Sequence, residues 1–229
     1  MSCHAEFLRV ALGNDETLSR AVLHGDPTQL DLAPRQRALI ELVRLVTTAP
    51  WSLSREHRAR WSALGDDDLV HAIALSAYFG HLNRIADAVA MPLDYACKIA
   101  APPIDHARAP FARAPNVVTA MPALELSSRP ATAAAMAAWR EHVRMKPSYA
   151  EIAAWNDGWL GAAPPIEAGG ELYMLASQVA FAPWQLDDDA YAPLRARGWS
   201  DAALFDACAT ASASNAWTRM DVALRALAQ

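Results

Sequence analysis

Two residues near the N-terminus, Cys3 and His4, have side chains that could carry redox chemistry. A thiol becomes reactive when a nearby imidazole lowers its pKa, since the thiolate is the attacking species. Adjacent residues on a helix point about 100° apart, however, and a chain terminus holds catalytic geometry poorly. The sequence therefore leaves two interpretations of Cys3 open, a reactive cysteine paired with His4 or a free terminal thiol.

The other histidines do not form a pattern that binds a metal. His71 and His81 are ten residues apart on one predicted helix, too far to share an ion, and His57 lies outside that helix. The sequence has no His-Glu-x-x-His motif, no Cys-x-x-Cys pair and no glycine-rich phosphate loop, which are the local signatures of zinc and nucleotide sites. We therefore expect no metal and no cofactor, and structural or surface positions for these histidines.

A polar group interrupts the longest apolar helix that the sequence predicts. Asn83 and Asp87 are four residues apart and share a helix face, with Arg84 beside them. Polar side chains in an apolar helix must be paired, or they cost free energy. The favoured interpretation is a hydrogen-bonded network that ties helices or subunits together. The alternative is a polar wall of a substrate pocket, to which Tyr78 would also belong.

The composition limits the class of protein to which this chain can belong. Of 229 residues, 53% are hydrophobic and 20% charged, which is typical of a globular protein with a sizeable core. The net charge is −5 and the basic residues are scattered, which argues against a nucleic-acid partner. No apolar run approaches a membrane span, and no signal peptide is visible. We expect a cytoplasmic protein without a membrane partner.

Nearly all periodic segments have helical spacing, so the predicted fold class is all-α. In residues 35–48, Leu39, Leu42, Val43 and Val46 fall on one face, and Pro50 ends the pattern. Residues 69–91 form the longest pattern and are apolar around much of the helix circumference. Further helices are predicted in residues 136–143, 149–155, 171–181, 187–197 and 202–227. No segment shows strand-like alternation.

The second helical region repeats the first. Ala49-Pro50-Trp51 recurs as Ala182-Pro183-Trp184 at an offset of 133 residues, and Gly65 falls on Gly198. After a two-residue insertion, Asn83-Arg84 falls on Thr218-Arg219. The predicted organisation is a first repeat in residues 1–100, a proline-rich linker in 101–132 and a second, degenerate repeat in 133–229. Arg219, with Asp221 or Asn215, could form the second repeat's counterpart of the Arg84 group.

Three segments of the first repeat together resemble alkylhydroperoxidase D-like proteins of the carboxymuconolactone decarboxylase superfamily, in the peroxidase-related branch. They are Cys3-His4-Ala5-Glu6-Phe7-Leu8-Arg9, residues 31–39, and Ala77-Tyr78-Phe79-Gly80-His81-Leu82-Asn83-Arg84-Ile85-Ala86-Asp87. The resemblance covers roughly residues 3–95, and more weakly 171–227. It implies a helical fold, assembly as a homo-oligomer, and reduction of a peroxide substrate at a Cys-x-x-Cys pair followed by a histidine.

Carried onto this sequence, the family's histidine falls on His4, and both motif cysteines would precede Met1. Cys3 lies directly before that histidine and is not a cysteine of the motif, and Gly80 replaces a family asparagine. We therefore expect peroxide reduction to be weak or lost unless Cys3 and His4 carry it. The alternative is a non-catalytic helical oligomer that binds a small ligand or a partner protein. Lactone or decarboxylation chemistry needs no cysteine, but the sequence offers no specific base for it beyond His4.

Overall fold

The computed structural model describes residues 9–11, 13, 16, 17, 19, 20, 31–92, 130–146 and 171–228. No strand occurs among these residues, which confirms the all-α prediction for this part of the chain. The helices are α1 (Pro34–Thr48), α2 (Arg55–Arg60), α3 (Asp66–Ala88), α4 (Pro130–Arg144), α5 (Glu171–Phe181), α6 (Asp188–Ala196) and α7 (Asp201–Ala228). Two short 3₁₀ helices, Pro50–Ser52 and Pro183–Gln185, follow α1 and α5.

The helix boundaries follow from local chemistry. Pro34 begins α1, where its missing N–H costs nothing. The acidic first turn of α3, residues 66–68, complements the positive end of the helix dipole. Helix α4 begins at Pro130, so the last three residues of the predicted linker are helical. The rest of that linker and the helix predicted in residues 149–155 lie outside the described residues.

In residues 34–88, which form the first half of the described chain, α1, a 3₁₀ helix, α2 and α3 follow in the order that α5, a 3₁₀ helix, α6 and α7 follow in residues 171–228 of the second half (residues 130–228). The residues before the two 3₁₀ helices share an unusual backbone conformation, with φ −153° and ψ 62° at Ala49 and φ −148° and ψ 57° at Ala182. These residues are 133 positions apart, which is the offset found in the sequence. The long helices α3 and α7 correspond after the two-residue insertion.

The described core consists of two clusters, and each draws on both halves. One joins α1 and residues 69–77 of α3 to residues 213–227 of α7. The other joins α5, α6 and residues 204–211 of α7 to Ala88 at the end of α3. The long helices therefore run past each other in opposite directions, and each completes the core of the opposite half. Each fully buried leucine or isoleucine there contributes about 2 kcal/mol.

Small side chains form the contact between the two long helices. Ala74 and Ala77 of α3 lie in the same buried cluster as Ala213 and Ala216 of α7. Small residues let two helix backbones approach closely, so that short polar side chains can bond across the contact. This contact is where the polar groups described next are positioned.

Candidate functional site: two arginines and an aromatic pocket

Arg84 of α3 caps a helix of the opposite half. Its Nε donates to the carbonyl of Ala180, in the last turn of α5, at 3.2 Å. Its Nη1 donates to the carbonyl of Gly80 in its own helix at 2.9 Å. The last four carbonyls of a helix have no partner within the helix, and they carry the negative end of its dipole. Arg84 supplies both a donor and a positive charge to the end of α5.

Arg219 of α7 makes the reciprocal contact. Its Nη1 donates to the carbonyls of Thr47 and Val46, in the last turn of α1, the latter at 3.4 Å. Thr47 and Ala180 are again 133 positions apart. The two corresponding arginines therefore cap the two corresponding helices, each in the half to which it does not belong.

The two arginines differ in the fourth residue before them. Arg219 Nε donates to the side-chain oxygen of Asn215 at 2.9 Å, as the sequence suggested. At the corresponding position before Arg84 stands Gly80, where an added Cβ would lie 3.1 Å from Arg84 Nη1. A side chain there would crowd the guanidinium, so the glycine leaves the Gly80 carbonyl open to it. Asp221, the other partner suggested for Arg219, instead pairs with Arg140 of α4 at 3.1 Å.

Burial shapes the electrostatics of this region. Loss of water penalises a charged group; this lowers the pKa of Arg84 to about 10, while Asp87 partly offsets the effect. Burial also lowers the pKa of Arg219 well below its usual range, and the positive charge of Arg84 adds to this. The Asp87 carboxyl is largely exposed, but partial loss of water raises its pKa, and the Arg84 charge opposes that rise. Asn83 is partly buried and forms no side-chain hydrogen bond within the described part of the chain.

His81 joins α3 to α7 at the helix contact. The Ser212 hydroxyl donates to the His81 carbonyl at 2.8 Å and lies 3.1 Å from His81 Nδ1. Because the hydroxyl proton goes to the carbonyl, Nδ1 carries the proton that bonds Oγ. Burial lowers the pKa of His81 to about 4, with a smaller contribution from Arg84. The imidazole is therefore neutral at pH 7 and held in one tautomer.

Aromatic rings continue from His81 to the surface. Trp139 of α4 lies 5.0 Å from the His81 ring and 4.3 Å from the Trp217 ring, measured between centroids. The Tyr78 ring meets Trp139 edge-on at 5.4 Å, with an interplanar angle of 89°. Tyr78 is therefore part of an aromatic cluster, whereas the sequence suggested the polar group around Arg84.

A pocket opens between α3 and α4 beside this cluster. Its volume is about 390 Å³. Its described lining comprises Ala74, Leu75, Tyr78, Thr132, Ala135, Met136 and Trp139. The two walls come from opposite halves of the chain. This volume lies within the range of small-molecule sites.

A second pocket, of about 600 Å³, lies beside the Tyr191 hydroxyl and Cys208. The hydroxyl donates to the carbonyl of Ala88 at 2.7 Å, so the thiol, 3.5 Å away, is the donor to the phenol oxygen. Burial raises the pKa of the Cys208 thiol. Cys208 is thus a protonated thiol, a state unsuited to nucleophilic attack.

Cys3 and His4 lie outside the described residues, so their interpretation stays a prediction. Among the residues that are described, no group of three or more His, Cys, Asp or Glu side chains is arranged to hold a metal ion. None of the described helices combines the length and apolarity that a membrane span requires. Neither Trp139 nor Ser212 could be identified from the sequence, because both matter only through residues that are distant in the chain.

No protein-family model matches the chain, and comparisons with curated proteins and with solved structures returned no match.

Proposed function

We propose that the two halves are copies of one alkylhydroperoxidase D-like helical unit and that the chain folds as the single-chain counterpart of a symmetric dimer. The reciprocal capping by Arg84 and Arg219 supports this proposal. In a two-fold dimer, each contact from one subunit to the other is made twice. Here a pair of corresponding contacts joins the two halves of one chain.

The proposed function is non-catalytic binding of a small organic molecule in the pocket between α3 and α4. The observation that carries it is the pocket itself, about 390 Å³ in volume and walled by Leu75, Tyr78, Met136 and Trp139. Exposed apolar walls of this kind gain free energy when a ligand displaces water from them. The neutral His81 ring beneath Trp139 adds no charge that would oppose an apolar ligand.

Peroxide reduction, which the family resemblance implies, has less support from the described residues. Cys208 is a buried, protonated thiol. Its described surroundings hold a tyrosine hydroxyl in place of a base or a second thiol. A peroxidase activity of this sequence would therefore depend on Cys3 and His4, and substitution of Cys3 tests it.

Homo-oligomer formation also belongs to the proposal. Helix α3 exposes Leu75, Tyr78, Phe79 and Leu82, each between 39% and 43%. These residues recur at three- and four-residue intervals and so lie on one face. Such an apolar face is typical of a surface that another protein covers. A cytoplasmic location and the lack of a nucleic-acid partner remain predictions from the sequence.

The pocket is tested with N-phenyl-1-naphthylamine, an uncharged probe that fluoresces in apolar surroundings. Ala135 lines the pocket, so Ala135→Phe is expected to fill it and remove the fluorescence gain. Ala137 is exposed on the same helix and is not among the described lining residues, so Ala137→Phe is the matched control. Equal probe fluorescence in the two variants would contradict a binding function at this pocket.

A further inference from the structure

The chemistry of the pocket walls specifies its ligand more closely. Tyr78 and Trp139 stand nearly perpendicular, at 89°, with centroids 5.4 Å apart. Two rings in this arrangement offer a planar molecule one face and one edge, and aromatic pairs favour stacked and edge-to-face contacts. Met136 and Leu75 complete the apolar lining. A thioether adds favourable contact with an aromatic ring.

The described lining of the pocket is uncharged. No Asp, Glu, Lys or Arg is among its described lining residues. Arg140, the next residue after Trp139, is paired with Asp221 at 3.1 Å and lies over the Trp217 ring at 5.2 Å. A charged ligand would therefore lose water in this pocket without gaining an opposite charge, which costs much more than the same step for an uncharged molecule.

Two hydroxyl groups give the pocket a limited polar capacity. Tyr78 and Thr132 are the described lining residues whose side chains can donate or accept a hydrogen bond. They stand on opposite walls, Tyr78 on α3 and Thr132 in the first turn of α4. A few placed polar groups in an apolar pocket orient a ligand and do not supply most of its affinity.

We infer that the pocket between α3 and α4 takes an uncharged planar aromatic compound carrying a small polar substituent such as a hydroxyl. The inference rests on the proposed binding function and names the class of ligand. The ring system packs against Tyr78, Trp139 and Met136, and the substituent bonds a hydroxyl of the wall.

Three ligands with one ring system test the inference. Naphthalene-2-methanol is neutral at pH 7, naphthalene-2-carboxylate is an anion, and naphthalene-2-methylamine is a cation. Titration calorimetry on the full chain measures the dissociation constant of each. The alcohol is expected to bind, and each ion to bind about tenfold more weakly or worse. Ala135→Phe is expected to abolish binding of the alcohol, and Ala137→Phe to leave it unchanged.

Each other outcome overturns a definite part of the argument. If either ion binds as tightly as the alcohol, and Ala135→Phe abolishes that binding, the inference fails while the proposed binding function stands. If the alcohol still binds to the Ala135→Phe variant, its binding site is not the pocket between α3 and α4. If none of the three ligands binds, and N-phenyl-1-naphthylamine does not bind either, both the inference and the proposed function fail.

Two further measurements keep these outcomes separable. Far-ultraviolet circular dichroism shows whether each variant is folded, and Thr132→Phe fills the pocket from another position if Ala135→Phe does not fold. Sedimentation velocity at two concentrations shows whether the chain self-associates. If the ligand binds only at a concentration at which the chain is monomeric, a second copy covers the pocket in the oligomer and the small-molecule assignment is overturned.

Discussion

Removal of the buried cation Arg219 is expected to have a large effect on stability. Arg219 is 5% exposed and donates to the carbonyls of Val46 and Thr47 and to the side chain of Asn215. Arg219→Met keeps a long apolar stem but removes every donor. The three acceptors then lose their partner at the centre of the contact between the halves.

The loss of stability in Arg219→Met can be worked out from these contacts. Three hydrogen bonds to a charged donor, at about 1.5 kcal/mol each, sum to about 4–5 kcal/mol. The substitution also removes a buried charge, which offsets part of the loss. We expect the free energy of unfolding to fall by about 3 kcal/mol. For a chain of this size that lowers the melting temperature by about 6–12 °C.

The partner arginine, Arg84, provides a second and independent prediction. It is only partly buried and donates to two carbonyls, so Arg84→Met should cost less, about 1–2 kcal/mol. The positive charge of Arg84 opposes that of Arg219. Each single variant already relieves this repulsion, and the double variant relieves it only once, so the double variant should lose more stability than the sum of the single variants.

Guanidinium chloride unfolding, followed by circular dichroism at 222 nm, measures all three variants. Arg44→Met is the matched control, because Arg44 lies on the exposed face of α1 and a surface substitution typically changes stability by about 0.5 kcal/mol or less. If Arg219→Met unfolds at the same denaturant concentration as Arg44→Met, the capping argument is refuted.

Four further predictions concern three buried polar groups and Cys3. The unfolded His81 binds a proton near pH 6.5 and the folded residue only near pH 4, so its contribution to stability is complete above pH 6.5 and lost as the pH falls to about 4. Unfolding titrations should show that loss, about 3 kcal/mol, in the wild type and not in His81→Gln. Ser212→Ala removes the hydroxyl that bonds the His81 carbonyl and leaves Nδ1 without this partner, and it should cost about 1–3 kcal/mol in the same assay at pH 7. Ellman's reagent counts the reactive thiols, and Cys208→Ser should lower that count by one in denaturant but leave it unchanged in the native protein. A count that also falls by one in the native protein would show that the Cys208 thiol is accessible. In a peroxide-consumption assay with a dithiol reductant, we expect no turnover in the wild type or in Cys3→Ser, and turnover that Cys3→Ser abolishes would show peroxidase activity at Cys3.

Several features of the fold could be predicted from the sequence. Helical spacing of apolar residues predicted α1 and most of α3, because period and prolines act within a few residues of the chain. The recurrence of Ala-Pro-Trp predicted that the connection after α1 would be repeated after α5, and Ala49 and Ala182 have nearly the same backbone angles. The sequence also identified Arg84 and Arg219 as corresponding residues that needed partners.

The partners themselves depend on the tertiary structure. Arg84 meets Ala180, 96 residues away, and His81 meets Ser212, 131 residues away. The acceptor of Arg84 is a backbone carbonyl, and a carbonyl carries no signal in the sequence because every residue has one.

The candidate site could also be predicted only in part from the sequence. The sequence alone determined that the described part of the chain is helical and that a polar group interrupts an apolar helix, because these properties depend on neighbouring residues. Only the tertiary structure decided that Tyr78 lies beside Trp139 and that the α3–α4 pocket exists. The pocket has one wall from each half of the chain, so it depends on how those halves pack, a property that no local pattern encodes.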